Sequence, residues 1–150
     1  MTNTIAILVA RLIFGGAFLM ATTFKFAGME GTAQYIASIG FPVPLFFAWV
    51  AAFFELGLAL ALFTGAFFCE AASLATAYVL FLALAFHGPD RWEENPTEFG
   101  FFVDHFTFIA GLLFAALHGP GDKLALGWRI DWKKKCPRAG STKTARVHHS

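Results

Sequence analysis

Residues 43–64 read VPLFFAWVAAFFELGLALALFT. The run holds one charge, Glu55, and matches the length of about 20 residues that an α-helix needs to cross a bilayer. It is too long for a buried strand and lacks the strict alternation of a membrane barrel. Pro44 suits a first helical turn, where a missing N–H costs nothing, and Thr64-Gly65 supplies the stop. Three more runs of this kind flank it: 5–25 with Arg11 inside, 68–87 with Glu70 at its entry and His87 at its exit, and 99–118 with Asp104 and His105. The predicted fold is therefore all-α, an integral membrane four-helix bundle.

Composition agrees. Apolar residues make up 57% of the 150-residue chain and charged ones 14%, with 20 Phe and a mean hydropathy of +0.62. A water-soluble domain needs far more charge on its surface, typically about 25% of residues. This excludes a disordered chain, a nucleic-acid binder and a small disulfide scaffold. Residues 1–118 form an apolar, mildly acidic body, and eight of the eleven Lys and Arg fall in 119–150. A domain over 1–130 followed by a basic tail, 131–150, is the expected organisation. By the positive-inside rule that tail lies in the cytoplasm, and four spans return the N-terminus there too. Cys69 and Cys136 then face a reducing compartment, and no disulfide is expected.

The connections are equally readable. Segment 32–39 (TAQYIASI) is short and amphipathic and suits the interface. Segment 88–98 (GPDRWEENPTE) reads as the one solvated internal loop, with Trp92 as a headgroup anchor. His87-Gly88-Pro89 and His118-Gly119-Pro120 repeat one helix-stop signal, where a His also meets the negative end of the helix dipole.

Chemistry must come from the ionisable groups inside the spans, each costing several kcal/mol unless it faces protein or water. Helical spacing aligns Arg11, Gly15, Phe18, Thr22 and Lys25 on the first span, and Ala48, Ala52, Glu55 and Ala59 on the second. On the second span Ala51 shares this face with Ala52. Spacing aligns Ser73, Thr76, Leu80, Ala83 and His87 on the third, and Asp104, Thr107, Gly111, Ala115 and His118 on the fourth. These small and polar faces should meet inside the bundle. At about 1.5 Å of rise per residue, Arg11 and Glu55 reach similar depth, which predicts a buried structural ion pair. Lys25, His87, Asp104 and His105 then gather in an outer pocket able to bind a ligand. His87 and His105 come out roughly 10 Å apart in depth, which disfavours a haem held between them, and no span carries the close spacing of a metal site.

With these residues in view, the chain resembles the DoxX-like family of small four-helix membrane proteins over roughly 5–130. The marks are RLIFGGAFL (11–19), Lys25, YIASIGFPVP (35–44), FFELGLAL (53–60), His87 and Gly119-Pro120-Gly121. The resemblance implies an inner-membrane protein linked to redox complexes; the related DoxD is a membrane subunit of a thiosulfate:quinone oxidoreductase. It implies quinone as a possible ligand, but leaves catalysis open. The chain departs from the family at Ala21 and Thr22, where members often carry His-Gly, and at Ala125 and Gly127 in place of Ser and Asp. The other reading is a non-catalytic accessory subunit, packed against a larger respiratory or photosynthetic complex or against further copies of itself. Membrane lipids are the expected surroundings on either reading.

Overall fold

A computed structural model describes residues 2–93, 95–121 and 125; the tail, 131–150, lies outside them. Five α-helices follow in order: α1 (Thr2–Ala27), α2 (Met29–Ser38), α3 (Pro44–Thr64), α4 (Phe68–Phe86) and α5 (Pro96–His118), with a single 3₁₀ turn at Pro89–Arg91. The four long helices are long and apolar enough to cross a membrane, and no strand occurs among the described residues. One end of the bundle holds the tight turn between α3 and α4 (the hairpin end). The other holds the connections 39–43 and 87–95 (the loop end).

Each boundary has a local cause. Pro44 stands in the first turn of α3, and Gly65 closes that helix with φ +71°, a left-handed cap that suits Gly. A Cβ at Gly65 would also stand 2.9 Å from Nη2 of Arg11, so backbone conformation and close approach both require Gly. The fourth membrane helix starts earlier than its apolar run. Asn95 caps it, its side chain accepting from the Thr97 N–H at 3.1 Å, and Pro96 opens the first turn. The Asn-Pro-Thr-Glu sequence that reads as polar loop is a helix start, and it puts Glu98 in α5.

Helix α1 packs along α3, and α5 packs along α4, while α1 and α5 touch only lightly. The main core joins Phe18, Leu58, Leu62, Phe68, Ala72, Ala75, Val79, Ile109 and Leu112. A smaller cluster at the loop end packs α2 through Ala33 and Ile36 against Ala48 and Phe86, which agrees with its amphipathic sequence. The outward surface is apolar along each long helix, as at Ile13, Met20, Phe24, Leu60, Leu84 and Phe114. Such a surface is at home in lipid, where backbone polar groups must bond inside the helix.

The first two expected stripes face inward: Arg11, Phe18, Thr22, Ala48, Ala52, Glu55 and Ala59 are all buried. The third is rotated. Helix α4 buries Ala71, Ala72, Ala75, Val79, Ala83 and Phe86, while Ser73 and Leu80 face outward. Ser73 and Thr76 donate to the carbonyls of Cys69 and Ala72 on their own helix, so neither needs a neighbour. The fourth stripe is corrected too. Asp104, Thr107 and His118 are exposed, and α5 is anchored by Ile109 and Leu112. Cys69 is engaged in a disulfide, against the expectation of reduced thiols. That expectation followed from compartment, whereas a disulfide depends on which chain segments meet.

Candidate functional site

Arg11 is 1% exposed. It donates from Nε to the Leu62 carbonyl at 3.2 Å, from Nη2 to the Phe63 carbonyl at 2.8 Å and from Nη1 to the Pro120 carbonyl at 3.0 Å. Its guanidinium also lies 5.8 Å from the Phe68 ring centroid. Leu62 and Phe63 belong to the last turn of α3, whose carbonyls lack helical partners and carry the negative end of the dipole. Arg11 thus ties α1 to the end of α3 and to the segment after α5.

The predicted Arg11–Glu55 ion pair does not form. Antiparallel packing sets Arg11 level with Leu62, and Glu55 lies seven residues earlier in α3, about 10 Å away along the axis at the rise of a helix. Glu55 pairs with Lys25 instead. The Lys25 Nζ lies 2.9 Å from Oε1 and 2.8 Å from Oε2, and the Tyr78 hydroxyl donates to Oε1 at 2.7 Å. One turn before Lys25, Thr22 donates to the Ala52 carbonyl at 3.4 Å. The Lys25 stem runs along the helix to reach Glu55, so three helices meet at one buried carboxylate.

Beside this network lies a cavity of about 240 Å³, lined by Ala17, Phe18 and Ala21 of α1, Glu55 of α3, Val79 and Leu82 of α4, and Asp104, His105 and Phe108 of α5. Its position follows from the light contact between α1 and α5. Ala17 and Ala21 leave room on the α1 side. Asp104 stands at the mouth rather than in the interior, exposed and without a hydrogen-bond partner among the described residues.

The four residues expected in one pocket therefore divide. Asp104 and His105 line the cavity. Lys25 reaches it only through Glu55, and His87 lies behind His105. The His87 and His105 ring centroids are 4.9 Å apart, so the depth separation expected between them is overturned: α4 ends in the His87 cap beside the first turns of α5. Rings in mutual contact leave no place for a haem iron between them, since axial ligands stand on opposite faces of the haem. Among the described residues no group of three His, Cys, Asp or Glu is placed to hold a metal ion.

Two participants escape a reading of apolar runs. Glu98 meets His87 Nδ1 at 2.5 Å, and the Asn95-Pro96 helix start is the signal that would have found it. Tyr78 carries the third hydrogen bond to Glu55; a lone Tyr in an apolar helix gives no such signal. Trp92, expected as a headgroup anchor, donates to the His87 carbonyl at 3.0 Å and packs edge-on against Phe99 and Phe102. His118 bonds the Phe114 carbonyl of its own helix at 2.8 Å.

A second cavity of about 240 Å³ is lined by Tyr78 and otherwise by apolar side chains including Ile36, Phe41, Phe47, Phe81 and Phe86. Leu82 lines both cavities.

The DoxX family matches residues 6–88, more than half of the chain, ending at the close of α4. Inner membrane protein YqjF of Escherichia coli (strain K12) is 32% identical over 118 residues, covering 78% of this chain and 86% of that protein. Inner membrane protein YphA of the same organism is 31% identical over 121 residues, covering 78% and 85%. No solved structure matches. A Lys25–Glu55 pair with its carboxylate buried and an Arg11 clamp, held in four apolar helices, thus occur in a chain that belongs to the DoxX family.

Proposed function

We propose that this DoxX-family protein is a multi-pass subunit of a redox-associated complex in the inner membrane, and that the cavity between α1 and α5 takes a quinone-type headgroup. The observation that carries this reading is the convergence of Glu55, Asp104 and His105 on a cavity with apolar walls, beside the loosely packed α1–α5 seam. A quinone ring is flat and apolar and carries two carbonyl oxygens that accept hydrogen bonds. Phe18 and Phe108 offer flat walls, and the His105 ring offers a hydrogen-bonding nitrogen toward those oxygens. Electrons would come from a partner, since the chain carries no dinucleotide or haem motif. The inner-membrane placement draws on the two relatives, both inner membrane proteins of Escherichia coli.

Decylubiquinone binding to the full chain in lipid nanodiscs tests this. The reading expects saturable binding, weakened at least about tenfold by His105→Ala, the loss of one hydrogen bond. Saturable binding that His105→Ala leaves unchanged, or none in wild type, would overturn it.

One observation favours a second reading. Only Ile109 and Leu112 are buried on α5, leaving Phe99, Phe101, Phe106, Leu113 and Phe114 bare. An accessory subunit would lay this face on a larger membrane complex or a second copy, with Asp104 meeting a cationic or donor group there.

A further inference from the structure

We propose that Glu98, His87 and His105 form a proton path from the loop end to the cavity, so that the cavity exchanges protons with that side of the membrane alone. The path deepens the headgroup reading and takes its purpose from it, but it stands on a separate set of contacts.

The groups stand in contact one after another. Glu98 lies in the first turn of α5 with its side chain 15% exposed, and its Oε2 meets His87 Nδ1 at 2.5 Å. The His87 ring, 14% exposed, contacts the His105 ring at 4.9 Å between centroids, and His105 lines the cavity. The tautomer of His105 follows from its partner. Its Nδ1 lies 2.6 Å from the Phe101 carbonyl, and a carbonyl only accepts, so Nδ1 carries a hydrogen and Nε2 is left to gain and lose the proton. An imidazole has one nitrogen that can give a proton and one that can take it, which suits it to pass protons in either direction.

The opposite direction is closed. Below the cavity toward the hairpin end, Phe108 packs edge-on against Phe14 at 4.9 Å and against Phe18 at 5.7 Å. A Cβ on Gly111 would stand 2.5 Å from the Phe14 ring, so α1 and α5 touch closely there. Aromatic rings offer no site for a proton, and the cavity has titratable groups on one side and a hydrocarbon plug on the other. At the loop end Trp92 covers His87, its indole on the His87 carbonyl.

Transfer needs no redox partner. A proton on His105 Nε2 passes to the His87 ring through one water. His87 releases a proton from Nδ1 to the Glu98 carboxylate, which gives it to water. One proton enters for each that leaves, and no electron moves. Other charges face these groups from several elements. Glu55, with Lys25 of α1 and Tyr78 of α4, faces His105 across the cavity, and Asp104 adjoins it on α5. Asp90 and Arg91 of the 3₁₀ turn and Tyr35 of α2 lie around the Glu98 end. Burial raises the Tyr35 hydroxyl pKa, and the charge of Glu98 raises it further while Arg91 opposes.

The test is the rate at which the His105 ring exchanges its Nε2 proton with water, read by nitrogen-15 NMR on histidine-labelled full chain in lipid nanodiscs. The path predicts that Glu98→Gln, nearly isosteric, and His87→Phe each slow exchange at least about tenfold, and that Glu98→Asp restores it. Trp92 fluorescence, which reports the fold around His87, should hardly change in Glu98→Gln. Wild-type exchange in both slowing variants would overturn the path, as would faster exchange in Phe14→Ala with no effect of Glu98→Gln. Decylubiquinone binding in the same samples separates the two proposals. Intact binding with no Glu98 effect leaves only the headgroup reading, and a Glu98 effect without binding leaves only the path.

Discussion

Lys25, Glu55 and Tyr78 meet where lipid alone would surround each of their helices. Removing one partner leaves the others charged or unsatisfied in a low-dielectric interior, which costs about 3 kcal/mol or more. Glu55→Gln should therefore lower stability by about 3 kcal/mol in detergent unfolding. Glu55→Gln combined with Lys25→Met should be less destabilising than the two single effects added. Additivity in that cycle would mean the pair is not coupled. Arg11 is held by three carbonyls in a fixed fork. Arg11→Lys keeps the charge but cannot span that geometry, and should cost about 1–3 kcal/mol in the same assay. Both groups stand out in the sequence as charges that lipid would reject, but their partners do not. Depth counted from the ends of apolar runs carries an error of several residues, enough to exchange Lys25 for Arg11 as the partner of Glu55. The flexible Lys stem, which bridges levels that backbone counting separates, is the physical cause.

At the scale of the element, α5 shows which signals a sequence holds and which it hides. The long apolar runs make α1, α3, α4 and α5 legible because only helices of that length and polarity fit a bilayer. Their facing is less legible. Ala spreads over α4, Ser73 and Thr76 are satisfied within their own helix, and small residues alone do not choose a face. The start of α5 depends on Asn95 and Pro96, which a hydropathy reading assigns to the loop. Asn95→Ala should cost about 1 kcal/mol through loss of the cap and should weaken the Glu98–His87 contact, visible as a changed His87 ring nitrogen chemical shift by NMR. The α1–α5 contact depends on Gly111. Gly111→Ala forces a Cβ against Phe14 and should cost about 1–3 kcal/mol through overpacking. Phe14→Leu should recover part of that loss in the double variant; no recovery would place the strain elsewhere.

For the whole molecule, orientation and neighbours complete the account. We propose that the hairpin end faces the cytoplasm, on the strength of the basic tail. The disulfide of Cys69 belongs to that same end, and cytoplasmic thiols normally stay reduced, so labelling must arbitrate. A Cys69→Ser, Cys136→Ser, Glu93→Cys variant should react with an impermeant maleimide added outside intact cells. Protection until the membrane is opened would reverse the orientation and place the proton path on the cytoplasmic side.

The claim beneath all of this is that charges carried by different helices are tolerated at depth because they turn toward one another. It is tested most directly by nitrogen–carbon dipolar recoupling between the Lys25 ammonium and the Glu55 carboxyl, on labelled full chain in lipid bilayers by solid-state NMR. The account predicts strong coupling from a contact of 2.8–2.9 Å between Nζ and the carboxylate oxygens. No coupling between Lys25 and Glu55, or coupling of Glu55 to the Arg11 guanidinium instead, would contradict it.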